Sequence, residues 1–470
     1  MQRLKRLLQR KHPRKEEVQE EEQSPAYIPP LATPAASASL KTPSLSNFER
    51  LPFEIRNGFL LAIDSLSDLS ALVHASPIFR EQYRLDRAFW LWHCLQLEIG
   101  NVYIDAYIAD QCNAREFRFK RTREKILLLI DDYKLHRSLS TDILTKPPNE
   151  EEILSIVTFH STVIRPLIHR YVSWTRENME LLSSPKDISK TEERRIIRGL
   201  YRFQIFSNLF GPARYRGFRH GESLLGEEER LTVFLDGFEA WEVEEMLCIN
   251  AFMHAKYDSV FQEVQWDLHP DNPSFDPVRT GPHTPPGAFH LVDHSEYHGY
   301  ASGNVLLTPP VSSEWHRNGI VYRGLSVLSF VFKAQDHLEK VKVVSEEVVT
   351  AVDDLLFQST EIFYQEQRRE NHHSDKDQAQ DDREEMNFNG DTYDSPPLAW
   401  VIFWKESYSN LFGDFIPRPL RHWGYIMWDS DRLANAGAAA VLDQAWKAMY
   451  TRPYDSEEPE DPRDEMLAYH

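Results

Sequence analysis

The sequence offers little that would support covalent or metal chemistry. Only three cysteines, Cys94, Cys112 and Cys248, occur in 470 residues, with no CxxC pair and no finger spacing. That sets aside zinc fingers and a disulfide framework and points to a reducing compartment. No apolar run approaches the roughly eighteen residues that a membrane span requires; the aliphatic block Ile126 to Ile130 is short. No apolar core followed by a small-residue cleavage site marks a secretory signal. A GxSxG elbow, a Walker A loop, a kinase motif set and an HExxH helix are all missing. So are WD40 signatures and leucine-rich ladders. The expectation is a protein that is not an enzyme and holds no cofactor and no metal.

What is present is enough to build a large core. Hydrophobic residues make up 41% and aromatics 12%, too many for a disordered chain. The net charge is -20. Such an acidic balance argues against nucleic acid as a partner, because that affinity comes from neutralising phosphates. The first fifteen residues run the other way, with Arg3, Lys5, Arg6, Arg10, Lys11, Arg14 and Lys15 around Leu4, Leu7 and Leu8. They read as a solvated segment, a nuclear-localisation patch or a mitochondrial presequence. Glutamate and proline then take over, so residues 1–46 are expected to be a disordered arm. Cytoplasm or nucleus is the expected location.

From Phe48 to Tyr83 the pattern becomes that of three short helices. Leu51-Pro52-Phe53-Glu54-Ile55 opens the first, since proline is tolerated where its missing N–H has no partner. Ile55, Phe59 and Ile63 recur on one face, with Leu60 beside them. Leu66, Leu69, Leu72 and Val73 make the next stripe. Ser76-Pro77 starts a third helix carrying Phe79 and Tyr83. Phe89, Trp92 and Leu95 continue a face that reads as core.

The stretch resembles an F-box, in particular the F-box-like units of fungal proteins. Leu51, Pro52, Glu54 and Ile55 match that family's Leu-Pro-x-Glu-Ile opening, Leu69 and Leu72 its leucine-rich second helix, and Trp90 its late tryptophan. Ala75-Ser76-Pro77-Ile78-Phe79 departs from the usual third-helix run. The resemblance covers about forty residues. It implies docking on a Skp-type adaptor of an SCF-type cullin–RING ubiquitin ligase, and recruitment of a protein target by the rest of the chain. The adaptor-binding face it implies is Leu51, Pro52, Ile55, Phe59, Leu69 and Leu72. The alternative in another class is a helical scaffold whose F-box-like unit simply packs into its own bundle.

The remainder reads as helical. Segments are expected at 115–139, 150–182 with a kink at Pro166, 191–209, 224–254, 320–333, 341–369, 398–403 and 434–449. The glycine-rich run 211–221 lacks the lysine of a phosphate loop. Residues 265–318, rich in proline, read as a long irregular loop. Within it His283, His290, Asp293, His294 and His298 match no metal-ligand spacing. Residues 370–397 read as an acidic disordered loop and 451–470 as an acidic tail. The fold class is therefore mostly α: an F-box-like unit at 47–84, then one large irregular helical domain over 85–450 with long loops.

Overall fold

Caps set where many of the helices begin. The computed structural model describes residues 46–138, 147–179, 187–212, 224–281, 285–289, 312–349, 354–392, 394–435 and 437–450. The first four helices are α1 (Phe53–Ala62), α2 (Leu66–Ala75), α3 (Pro77–Leu85) and α4 (Arg87–Ile99). Ser76 Oγ accepts the Phe79 N–H at 3.4 Å with Pro77 in the first turn, and Asp86 caps α4 through the Phe89 N–H. The body continues with α5 (Tyr103–Asn113), α6 (Arg115–Phe119), α7 (Arg123–Ser138), α8 (Glu150–Phe159), α9 (Arg165–Asn178) and α10 (Lys190–Phe210). Asn149 with Glu152, and Ser189 with Glu192, form reciprocal capping boxes at α8 and α10.

Then come α11 (Glu227–Val233), α12 (Ala240–Val264), α13 (Ser312–Val321), α14 (Leu325–Lys333), α15 (His337–Glu347), α16 (Leu355–Gln358) and α17 (Ile362–Asn371). The last are α18 (Asp375–Asp381), α19 (Leu398–Phe403), α20 (Arg418–His422), α21 (Ser430–Asn435) and α22 (Ala438–Tyr450). Among the described residues the structure is mostly α-helix; the strand-type pairing is an isolated bridge between Glu385 and Ser407. Leu51–His470 groups as one unit. Residues 46–50 belong to another and show a local turn in which Ser46 bonds the Glu49 carboxylate.

The long helix α10 lies against α5 and α12. Gly199 permits the close approach, because a Cβ there would lie 3.2 Å from the Glu245 carbonyl. The contact is apolar through Ile196, Leu200, Phe203, Val243, Met246 and Ile249, all fully buried. It is also charged. Arg198 makes a two-pronged bond to Glu245 at 2.6 and 2.8 Å, and Arg202 lies 2.9 Å from Glu242. On another side of α12, Glu244 accepts two bonds from Arg421 at 2.8 and 2.9 Å and the Gly413 N–H at 2.8 Å. Buried charges persist only when paired and hydrogen-bonded. The Glu244–Arg421 pair draws the chain's C-terminal third onto its middle.

Burial would raise the Glu242 carboxyl, but Arg202, Arg198 and Arg137 outweigh it and hold it well below its ordinary value of 4.5. Its contribution to stability is therefore complete above that value and is lost as pH falls through the depressed one. Urea midpoints should fall as pH drops below about 5, and Glu242→Gln should flatten that dependence. A Glu242→Gln profile parallel to the wild-type one would contradict this.

Gly413 turns the chain back toward α12 with φ +66°, and a Cβ there would collide with the Thr360 backbone. Gly413→Ala should cost more than the roughly 1–2 kcal/mol of a left-handed residue alone. Thermal unfolding of the variant checks this.

Two expectations need correction. Residues 370–397 are not a disordered loop through their described part: Ser374 caps α18, and Arg368 holds Asp377 in a buried pair. Asn410 also bonds Asp377, so the acids of this segment are partly structural. The irregular loop 265–318 ends sooner than expected, because α13 already runs from Ser312. Its described first part is turns and a short 3-10 helix, Pro273–Val278. Just before Pro166 the helix passes through a π-turn, His160–Ile164. The carbonyl that proline leaves without its helical donor, Thr162 O, receives Lys333 Nζ at 2.9 Å.

Candidate functional site

Helix α1 is held to its neighbours largely by polar bonds. Leu60 is its one fully buried side chain. Gln82 from α3 donates to the Phe53 carbonyl at 3.2 Å and to Asn57 Oδ1 at 2.6 Å. His93 Nε2–H from α4 donates to the Leu61 carbonyl at 3.1 Å. With the helix fixed this way, its apolar residues are not all needed for packing. Ile55 is 52% exposed and Phe53 46%, and Pro52, Phe59 and Leu61 are exposed as well.

The neighbouring helices supply the inner side. Leu66, Leu69 and Val73 of α2, Phe79 of α3, and Trp90, Leu91, Cys94 and Leu95 of α4 are buried against one another and the body. Of the residues expected to meet an adaptor, Pro52, Ile55 and Phe59 thus share the exposed side of the unit. Leu51 and Leu72 are half-buried, and Leu72 packs on the core. Leu69 is a correction: it is 2% exposed and belongs to the inner packing. On α1 itself, Leu60 faces in while Ile55 and Phe59 face out. Periodicity identifies an apolar face but not what covers it.

Sequence reasoning missed Phe53, Leu61 and Phe89. Phe89, read as core, is exposed and stacks on His93 with ring centroids 5.7 Å apart. Only the burial of its neighbours Trp90, edge-on to it with ring centroids 4.9 Å apart, and Leu91 would have revealed it.

Other chemistry is thin among the described residues. The three thiols are buried, and burial pushes those of Cys94 and Cys112 up to about 12, so neither is a ready nucleophile. No three His, Cys, Asp or Glu side chains among the described residues converge as metal ligands. His283, His290, Asp293, His294 and His298 lie outside the described residues, as does most of the 211–221 run. A cavity lined by Asp110, Asn113, Ser155, Gln204 and Asn208 measures about 30 Å³. Small-molecule sites run to several hundred Å³, so this one suits water. In the basic segment 115–125, Arg121 binds the Asn208 and Gly211 carbonyls at the end of α10, and Arg123 pairs with Glu229. No described helix is long and apolar enough to cross a membrane.

The geometry defines a mostly helical protein with an exposed apolar face on its first described helix. No protein-family profile, curated protein or solved structure matches the chain.

Proposed function

We propose that the chain is an F-box-like recruiting subunit of a cullin–RING ubiquitin ligase. It docks on a Skp-type adaptor through Pro52, Ile55 and Phe59, with Leu51 and Leu72 at the edge, and presents a protein target on its helical body. The observation that carries the reading is the division of labour in α1–α4. Pro52, Phe53 and Ile55 stand in solvent while Leu60, Leu66, Leu69 and Phe79 are sealed inside. Each large apolar side chain covered by a partner would contribute roughly 1.5–3 kcal/mol. Cytoplasm and nucleus both hold such ligases and suit a chain with three free, buried thiols.

Full-length protein mixed with a purified Skp-type adaptor should elute as a one-to-one complex. Separate elution at micromolar concentrations of both would reject the reading. One observation favours a second reading, a helical scaffold without a ligase: Leu51–His470 groups as one unit, with Leu69 inside it. That reading is what remains if no adaptor binds.

A further inference from the structure

Helix α2 lacks a cap of its own. Ser65, at its N-cap position, accepts no first-turn backbone N–H; its hydroxyl instead pairs with Ser67 Oγ at 2.7 Å. The first-turn N–H groups of a helix need an acceptor. One is supplied from thirty-two residues away, by Glu98 of α4, whose Oε2 accepts the Leu66 N–H at 2.7 Å. Its other oxygen is held by the body: Arg165 Nε donates to Oε1 at 2.6 Å, Arg165 Nη2 bonds the same atom, and His160 Nε2 lies 3.1 Å away. The His160 ring is fully buried and stacks on Tyr201 of α10. Arg165 continues to Glu193 at 2.7 Å. One carboxylate, itself 3% exposed, therefore joins α2, α4, the π-turn and α9.

We propose that Glu98 is a positioning residue through which the helical body fixes the start of α2, and with it the presentation of the docking face. Its relevance to docking rests on the adaptor reading above; its mechanical role does not. A charged acceptor is a stronger cap than a serine hydroxyl. It also makes the cap conditional on the body, because Glu98 is aimed by Arg165 and His160 and not by its own helix alone. A change that draws Arg165 away leaves the carboxylate free to turn from Leu66. Asp64, paired with Lys190 at 2.7 Å, is another charged link between this corner and α10.

Hydrogen exchange on the full chain tests the coupling. Arg165→Ala touches neither α1 nor α2 through any bond named above, yet it should speed exchange of the Leu66 to Leu69 amides by about tenfold or more, the worth of a charge-assisted bond. In a Glu98→Ala background, where those amides already exchange fast, Arg165→Ala should add nothing. Glu98→Gln, which keeps an oxygen for Leu66 but loses the charge, should fall between. Amides of α10 and α12 should keep their protection, which separates loss of the cap from global unfolding. Unchanged exchange at residues 66–69, simple additivity of the two substitutions, or equal loss in α10 would overturn the proposal. Failure of the wild-type chain to bind adaptor would sink the docking reading and leave this coupling standing.

Discussion

Glu244→Ala should lower the stability of the folded chain by about 3–5 kcal/mol, the range for stripping one partner from a buried ion pair. Glu244 is fully buried and serves four donors: two Arg421 nitrogens, the Gly413 N–H and the Tyr425 hydroxyl at 3.3 Å. Alanine would leave the Arg421 guanidinium, itself buried, without its counter-charge. It would also leave the Gly413 N–H without an acceptor at a turn whose φ is already positive. Each such loss is costly inside a protein because no water replaces the partner. Equilibrium urea unfolding reads the effect as a shift in midpoint. The exposed Glu346 is the control, and its alanine variant should stay within about 0.5 kcal/mol of wild type. Replacing both Glu244 and Arg421 by leucine should cost less than Glu244→Ala alone, since no buried charge is then left alone. A loss below about 1 kcal/mol for Glu244→Ala would show that the pair is not what holds the C-terminal segment down.

The second large effect is on binding. Ile55→Asp should weaken adaptor affinity by about thirtyfold or more, the scale of a hot-spot residue, while leaving stability within about 0.5 kcal/mol. The side chain is half in solvent and lies in the first turn of α1, where an acid is favourable to the helix dipole. Leu69→Ala should do the reverse in the folding assay. It removes a fully packed side chain and should cost about 2–5 kcal/mol. Calorimetric titration with adaptor, beside urea unfolding of both variants, separates the two roles. An Ile55→Asp protein that binds like wild type would remove this face from the proposed interface. One as unstable as Leu69→Ala would move Ile55 into the core.

How far the fold was legible depends on the range of the interaction involved. The expected helix at 191–209 differs from Lys190–Phe210 by one residue at each end. Its capping box and its apolar period are written in adjacent residues. The Ser76-Pro77 start of α3 was legible for the same reason. The segment at 370–392 was misread because its acids look like solvated charge in isolation. Asp377 is an anchor only because Arg368 and Asn410 are brought to it.

The candidate site was half legible. Leu-Pro-x-Glu-Ile marked where to look, and Ile55 and Phe59 are exposed there. Leu69 was placed on the wrong side, because a leucine stripe has the same spacing whether it meets its own core or another protein. Phe89 was misplaced for the converse reason: an aromatic beside Trp90 is core by default until the helix is rotated into position.

By itself the sequence determined the helical class, the starts of the capped helices and the region where an apolar platform would form, all of which depend on residues within about one turn of each other. The tertiary structure decided which side of α1 is open, that Glu98 caps a helix thirty-two residues away, and that Glu244 meets an arginine 177 residues further on. Those choices rest on contacts between segments far apart in the chain, and no local period or motif encodes the partner of a buried charge.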